Sequence, residues 1–226
     1  MDLDPDACYR AMQTRDARFD GRLFIAVRTT GIYCRPVCPA RTPMRQNVSF
    51  HPSAASAEAA GYRACLRCRP ETSPQLGAWN GASSTVSRAL TLIEAGALDG
   101  DGDVETLAER LGVGGRQLRR LFTQHLGATP LGVAQTRRVL LAKQLIHDTD
   151  LSMAQVAMAA GFGSIRRFNE TFQSLYGRPP LALRRRKAPA QAGDDNDAVS
   201  LTLRYRPPYD WAGMLAFLAM RAIAAG

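Results

Sequence analysis

Four of the five cysteines form two closely spaced pairs near the start of the chain. Three residues separate Cys34 from Cys38, two separate Cys65 from Cys68, and the spacer between the pairs is long enough to fold back. Each pair can supply two corners of a tetrahedron, which is the arrangement of zinc sites closed by four thiolates. The spacing therefore predicts a Zn2+ site, and in most four-cysteine sites the metal has a purely structural role.

The same residues could instead form disulfides or a reactive metal centre. We expect reduced thiols, because a cytoplasmic chain keeps its cysteines reduced. A zinc ion held by four thiolates carries a net charge of about −2, which leaves the sulfurs electron-rich at neutral pH. Such a thiolate can attack an alkyl carbon without a general base, and so can accept a methyl group.

Two other residues near the quartet are weaker candidates. His51 lies between the pairs and could replace one ligand, but four cysteines already fill the site, so we expect His51 on the surface. Cys8 stands outside the quartet. We predict that Cys8 is a partly buried apolar residue on a first helix, without redox chemistry.

Length and charge limit the class of protein. A chain of 226 residues suits two compact domains with tails. No apolar run approaches the ~18 residues of a membrane span, and the acidic first residues are unlike a secretory signal, so we expect a cytoplasmic protein without membrane contact. The formal charge of +9 favours a polyanionic partner such as nucleic acid, although many basic proteins merely have a solvated surface.

The segment that holds the cysteines mixes strand and helix signals. Residues 23–28 read as an alternating strand, and Ser53 to Ala60 reads as a short helix that Ser53 caps and Gly61 ends. Apolar periodicity lapses over residues 71–81, which predicts a linker. We therefore place a first domain at residues 1–72.

Residues 83–186 read as helical throughout and form a predicted second domain. Thr129 and Pro130 open a long helix that reaches about His147. Two pairs of helices have helix-turn-helix character, each with glycine in its turn: 104–111 with 115–124, and 152–159 with 164–174. The apolar positions before and within the first pair recur at helical spacing: Leu90, Ile93, Leu98, Leu107, Leu111, Leu118, Leu121 and Phe122.

The last part of the chain changes character twice. Residues 187–198 are polar and read as a flexible linker. Residues 201–205 alternate like a strand, and residues 211–225 look like an apolar helix. We expect 199–226 to be the truncated start of a further domain.

The residues around the cysteines resemble the metal-binding domain of the Ada family, which answers DNA methylation damage. The resemblance rests on residues 27–38, 45–50 and 60–68, and on Arg41. It implies that Cys34 irreversibly accepts the methyl group of a methylphosphotriester, a single-turnover reaction, while Cys34, Cys38, Cys65 and Cys68 hold zinc. Transfer would change the site from about −2 to about −1 and so tighten DNA binding. Candidate phosphate contacts are Arg28, Arg35, Arg41, Arg45 and Arg67.

The helical domain resembles the AraC family of DNA-binding proteins. Its signature positions here are Val156, Ala157, Ala160, Gly161, Phe162, Ser164, Arg167, Phe168, Asn169, Phe172, Tyr176, Gly177, Pro179 and Pro180. The resemblance implies two recognition helices in successive major grooves of double-stranded DNA, without a need to dimerise. Candidate DNA contacts are Arg116, Gln117, Arg119, Arg120, Ser164, Ile165, Arg166 and Arg167. The first recognition helix lacks a capping serine, because Gly114 and Gly115 stand at its start.

Residues 201–211 and the helix after them resemble the opening of AlkA-type 3-methyladenine DNA glycosylases. We expect no glycosylase activity in this chain. The Pro-Cys-His-Arg motif with which longer Ada proteins accept methyl groups from guanine is also absent from the sequence.

The sequence thus predicts an α+β zinc domain, an all-α AraC-type double helix-turn-helix domain and a short strand-helix remnant. The predicted function is methylphosphotriester repair coupled to transcriptional activation, with DNA and RNA polymerase as partners. One alternative is an AraC-type transcription factor with a purely structural zinc site. Another is an inert interaction scaffold, which would lack DNA affinity.

Overall fold

The computed structural model describes residues 4–73, 84–184 and 209–220. Within residues 4–73, helix α1 (Pro5–Gln13) precedes four strands in one sheet, in the order β3-β1-β2-β4. The strands are β1 (Phe24–Val27), β2 (Ile32–Cys34), β3 (Val48–His51) and β4 (Arg63–Ala64). Strand β1 pairs antiparallel with β2 and β3, whereas β2 pairs parallel with β4. The parallel pair places the two cysteine segments side by side.

Both faces of β1 are buried, which differs from the predicted alternation between core and solvent. Ile25 belongs to a cluster with Cys8 and Met12 of α1, whereas Phe24 and Ala26 belong to a second cluster on the opposite face. A strand covered on both sides reads as a continuous apolar run. The predicted strand is confirmed. The expectation that one of its faces is open to solvent is wrong, because both faces are covered.

Helix α2 (Ala54–Ala59) covers the second face of the sheet. Its beginning is the predicted one, because the Ser53 hydroxyl accepts a hydrogen bond from the Ser56 N–H at 3.0 Å. Its end is also as predicted, since Gly61 follows with a positive φ of 89°, a conformation that costs glycine little. Strand β4 starts two residues later.

The first helix-turn-helix unit lies in the described range that begins at residue 84. Helix α3 (Ser84–Glu94) packs with α4 (Val104–Arg110) and α5 (Gly115–Leu126) around a common core that contains Ile93, Leu107, Leu118 and Phe122. Asp103 caps α4 through its side chain, but Gly114 offers α5 no side-chain cap. The predicted weak start of the first recognition helix is confirmed.

The second unit consists of α7 (Met153–Ala159) and α8 (Ile165–Tyr176). Ser152 and Gln155 form a capping box at the start of α7, in which each side chain accepts from the other residue's backbone N–H. Phe168 and Phe172 of α8 are fully buried, so they are core residues rather than base-stacking residues. A 3-10 helix at Pro180–Leu183 closes this core through Leu183.

Helix α6 (Pro130–Asp148) connects the two units and is buried on several sides. Ala134 packs in the first core, whereas Val139 and Ala142 pack in the second. Leu140 packs against the sheet cluster of the first 73 residues. Helix α6 therefore contacts the sheet domain and both helix-turn-helix units. The predicted fold class, a small α+β part followed by an all-α part, is confirmed.

The prediction that the linker begins at residue 71 is wrong. Residues 70–72 form a 3-10 helix against α6, and the side chain of Glu71 is 1% exposed. Residues 74–83 lie outside the described residues, as do the predicted linker 187–198 and strand 201–205. Helix α9 (Trp211–Ala219) is the described part of the predicted C-terminal helix. Of the helices that the structure describes, none has the length and apolarity to span a bilayer.

Candidate functional site

The four predicted ligands come together at one end of the sheet. The sulfur atoms of Cys34, Cys38, Cys65 and Cys68 all lie within 4.8 Å of one another. All four are free thiols. Cys34 and Cys38 are partly exposed, whereas Cys65 and Cys68 are buried. The cluster therefore presents its first pair to the surroundings and keeps its second pair inside.

Strand pairing brings the two cysteine pairs together. Cys34 ends β2, where it pairs with Ile25 of β1. Cys65 follows β4, and its N–H donates to the carbonyl of Tyr33 in β2 at 3.0 Å. Each pair continues into a turn that carries its second cysteine. The Cys38 N–H, for example, donates to the Arg35 carbonyl at 3.1 Å.

Two backbone N–H groups point at the sulfurs of the second pair. The Arg67 N–H donates to Cys65 Sγ at 3.3 Å, and the Arg35 N–H donates to Cys68 Sγ at 3.5 Å. Hydrogen bonds to a charged group stabilise its charged form. The turns therefore favour thiolates at the two buried sulfurs.

Crowding shifts the acidity of the four thiols in opposite directions. Hydrogen bonding with Cys38, then with the other two sulfurs, and burial raise the pKa of Cys34. Hydrogen bonding with Cys34 is the main cause that lowers the pKa of Cys38 to about 7. Like charges at such distances oppose joint ionisation unless a cation neutralises them. Four closely placed sulfurs in two turns are the donor set that suits Zn2+. Cys34, Cys38, Cys65 and Cys68 thus form a candidate zinc site.

Arg35 faces inward, unlike a surface phosphate contact. Its Nε donates to Asp20 Oδ1 at 2.8 Å and a terminal nitrogen bonds Oδ2, while the Asp20 side chain is 2% exposed. Its other terminal nitrogen donates to the Cys68 carbonyl at 3.2 Å and to Thr72 Oγ1 at 2.8 Å. The guanidinium thus joins the first cysteine segment to the second. Asp20 was missed by sequence reasoning, because nothing in its neighbourhood distinguishes it from a surface carboxylate.

The other candidate phosphate contacts of this part lie on the surface. Arg28, Arg41 and Arg67 are exposed. Arg45 is also exposed, with its guanidinium carbon 5.3 Å from the Phe50 ring centroid and 5.7 Å from that of Tyr9. One of its terminal nitrogens also lies 3.6 Å from Asp6 Oδ1, in an exposed ion pair that a phosphate could replace. Their contact with DNA stays a prediction.

The candidate residues of both recognition helices are exposed. In α5, Arg119 donates to Glu105 Oε1 at 2.7 Å, and in α8, Arg166 donates to Glu170 Oε1 at 2.8 Å. The other candidates on these helices are Arg116, Gln117, Arg120, Ser164, Ile165 and Arg167. Ser164 also caps α8, because its hydroxyl accepts from the Arg167 N–H at 3.2 Å. Both sets of candidate residues thus face outward, and their contact with DNA stays a prediction.

His51 and Cys8 take no part in the cysteine cluster. The His51 ring is partly buried rather than on the surface, and its nitrogens lie 3.2 Å from Ser49 Oγ and 3.3 Å from Ser56 Oγ. The expectation of a surface histidine is wrong, because strand β3 turns the ring toward α2. Cys8 is 3% exposed on α1, and burial raises the pKa of its thiol, which suits an apolar role.

Comparison with known proteins identifies the domain that contains the four cysteines. Residues 7–71 match the family model described as the metal binding domain of Ada, and the four cysteines lie inside the match. The chain belongs to the Ada family. Residues 107–186 match a helix-turn-helix domain, and residues 200–225 match the AlkA N-terminal domain.

Curated relatives share this organisation over part of their length. A Mycobacterium tuberculosis protein named probable bifunctional transcriptional activator/DNA repair enzyme AlkA is 47% identical over 97% of this chain and 45% of its own. The Escherichia coli bifunctional transcriptional activator/DNA repair enzyme Ada is 32% identical over 84% of this chain and 54% of its own. This Ada-family chain therefore spans about half the length of these relatives. A crystal structure of a methylated N-Ada/DNA complex is 35% identical, with 61% of this chain and 99% of that chain covered and a TM-score of 0.31.

Proposed function

We propose that this chain repairs methylphosphotriesters in DNA by moving the methyl group onto Cys34, and that it couples this repair to DNA binding and transcriptional activation. The observation that carries the proposal is a partly exposed Cys34 sulfur within 4.8 Å of three other cysteine sulfurs. Exposure alone also admits Cys38. The Ada-family resemblance selects Cys34.

The transfer is a direct substitution at carbon. The Cys34 sulfur supplies an electron pair to the methyl carbon, a sulfur–carbon bond forms, and the carbon–oxygen bond to the phosphotriester breaks. The electron pair of that bond leaves with the phosphate oxygen, which restores an anionic phosphodiester. Zinc, when bound to the four cysteines, keeps their sulfurs as thiolates at neutral pH. The product thioether has no ready leaving group, so each chain reacts once.

Residues of this chain supply the approach to the DNA backbone. The net charge of +9 attracts the polyanion, and exposed Arg28, Arg41 and Arg67 lie in the same domain as Cys34. Methylation of one sulfur removes one negative charge next to the phosphates. Weaker repulsion then tightens binding to DNA.

The two helix-turn-helix units supply sequence recognition. Their exposed arginines on α5 and α8 suit base edges and phosphates of double-stranded DNA. We propose domain limits at 1–72 and 83–186, with 187–198 as a linker and 199–226 as the start of an AlkA-like domain. We further propose that the protein acts in the cytoplasm, binds DNA as a monomer and contacts RNA polymerase.

Mass spectrometry of the zinc-loaded chain tests the repair step. After incubation with methylphosphotriester DNA, we expect one added methyl group per chain, located on the peptide that contains Cys34. Cys34→Ser should abolish the gain, whereas Cys8→Ser should leave it intact because Cys8 is buried outside the cluster. Unmodified DNA is the matched control.

The alternative function is an AraC-type transcription factor with a purely structural zinc site. Four closely placed sulfurs suit that role equally well. Full zinc occupancy and specific DNA binding without methyl transfer to any cysteine would establish the alternative. Loss of DNA affinity as well would instead indicate an interaction scaffold.

A further inference from the structure

The segment that carries the second cysteine pair also packs against the second helix-turn-helix unit. We call residues 63–72 the second cysteine segment. It runs from β4 through Cys65 and Cys68 to the 3-10 helix Pro70–Thr72, which lies against α6. The segment is thus part of the candidate zinc site and of an interface with a DNA-reading unit.

Leu66 is the apolar contact of this interface. It stands between Cys65 and Cys68, and its side chain packs against the core cluster that contains Phe168 and Phe172 of α8. Metal ligation of Cys65 and Cys68 constrains the backbone on both sides of Leu66. The position of Leu66 in that core is therefore tied to the cysteine cluster.

A second contact reaches the end of α8. The guanidinium carbon of Arg63 lies 6.0 Å from the ring centroid of Tyr176, the last residue of α8. Tyr176 in turn stacks on Phe172, with centroids 5.6 Å apart. Burial is the main cause that raises the pKa of Tyr176, so its phenol stays neutral beside Arg63. Strand β4 thus contacts the recognition helix itself.

Ion pairs fix the far end of the segment to α6. Arg69 donates to both carboxylate oxygens of Asp148 at 3.0 and 3.1 Å, and Glu71 accepts from Lys143 Nζ at 2.7 Å. Arg69 has a positive φ of 50°, which is unfavourable for a residue with a Cβ. Such a conformation persists where surrounding contacts determine it. Here the Arg69 guanidinium contacts Asp148 of α6 and also Glu71, which belongs to the second cysteine segment as Arg69 does.

The first helix-turn-helix unit meets the sheet domain elsewhere. The Ser53 hydroxyl at the start of α2 donates to the carbonyl of Leu126 at the end of α5, at 2.6 Å. This contact involves no residue of the second cysteine segment. Disturbing residues 65–68 should therefore affect the second unit before the first.

We propose that Leu66 is a positioning residue for DNA recognition: it holds α8 in place only while Cys65 and Cys68 are fixed by their metal. The metal site then controls the second recognition helix through packing, in addition to any change of charge. This inference does not rest on methyl transfer, because it concerns how the metal-bound fold presents α8.

Hydrogen exchange on the full zinc-loaded chain tests the proposal. In Leu66→Ala we expect amides of α7 and α8 to exchange roughly tenfold faster, with α4 and α5 unchanged and with zinc content retained. Leu66→Met should restore protection, because methionine fills similar volume. Leu131→Ala is the matched control, since Leu131 lies 53% exposed on α6.

The salt dependence of DNA affinity gives an independent readout. If α8 is displaced, Leu66→Ala should bind duplex DNA with a shallower dependence on salt, because fewer phosphates are neutralised. A chelator should produce the same selective loss of protection in α7 and α8 in the parent chain. Unchanged exchange in α7 and α8, or an equal loss in both units, overturns the proposal. Methyl uptake measured on the same variant reports separately on the proposed repair function.

Discussion

Lys143 Nζ lies 2.7 Å from Glu71 Oε2, and the two side chains are 0% and 1% exposed. The lysine belongs to α6 of the helical domain, whereas the glutamate follows the last cysteine of the zinc domain. Glu71 also accepts from Arg69, which reaches on to Asp148. An ionic cluster this deeply buried makes the domain contact geometrically specific, since either charge alone is costly to desolvate.

Removal of Lys143 should therefore destabilise the chain. We expect Lys143→Met to lower the free energy of unfolding by about 3 kcal/mol, because the buried Glu71 carboxylate loses one of its two cations and keeps only Arg69. The double variant Glu71→Leu with Lys143→Met should regain most of that loss. Guanidinium denaturation measures both. Arg166→Ala, which breaks an exposed pair, is the control and should leave the midpoint unchanged. A Lys143→Met midpoint equal to the parent's would contradict the role of this pair.

Glu58 should make stability depend on pH in an unusual direction. Its carboxylate accepts from Tyr33 at 3.0 Å and from Thr136 of α6 at 2.6 Å, yet burial dominates and raises its pKa above the ordinary 4.5. A carboxyl group whose pKa is higher in the folded state than in the unfolded state destabilises the fold while it is ionised. This destabilisation disappears as the pH falls through the folded-state pKa toward the unfolded-state pKa, because the group then binds its proton in the folded state. We expect Glu58→Gln to be more stable than the parent at neutral pH.

The stability difference between Glu58→Gln and the parent should shrink as the pH becomes mildly acidic, because the parent then binds its proton. Thermal unfolding of both zinc-loaded proteins across a pH series measures the difference. Zinc loss at low pH affects both chains alike and cancels in the comparison. A difference that grows toward acid pH would refute the assignment.

Ser53 should contribute to stability in two ways. Its hydroxyl caps α2 and also donates to the Leu126 carbonyl of the first helix-turn-helix unit at 2.6 Å. We expect Ser53→Ala to cost about 2 kcal/mol of unfolding free energy, since a buried carbonyl loses its donor and a helix loses its cap. Ser53→Thr, which keeps the hydroxyl, serves as the comparison in urea denaturation. Equal stability of Ser53→Ala and Ser53→Thr would show that the Ser53 hydroxyl does not stabilise the interface.

Alanine substitutions at Arg35 and at Arg116 should affect different properties of the protein. Arg35→Ala leaves Asp20 without its guanidinium and separates the cysteine segments, so we expect about 3 kcal/mol lower stability and weaker zinc retention. Arg116→Ala removes an exposed cation of α5, so stability should hold while DNA affinity falls and the salt slope decreases by about 1.

Denaturation, zinc stoichiometry and DNA binding at several salt concentrations separate the two cases. A salt slope that changes for Arg35→Ala with stability unchanged would show that Arg35 faces DNA after all.

Local signals in the sequence specified much of the secondary structure and the metal ligands. Ser53, the Ser152–Gln155 capping box, and Pro130 after Thr129 each satisfy or remove backbone donors within their own helix, so their effect does not depend on distant residues. The spacing of Cys34, Cys38, Cys65 and Cys68 was sufficient to predict their meeting, because two short turns can each place two sulfurs on one ion.

Tertiary structure decided which polar residues turn inward. Glu71 read as the start of a linker and Arg35 as a phosphate contact, yet both are enclosed by partners 72 and 15 residues away in sequence. Whether a charged side chain is buried depends on the element that packs over it. That element can lie far away in sequence, so the local pattern of apolar residues does not reveal it. Nothing in the sequence around Leu66 indicates a packing partner, and only the tertiary structure packs this side chain against the core of the second helix-turn-helix unit.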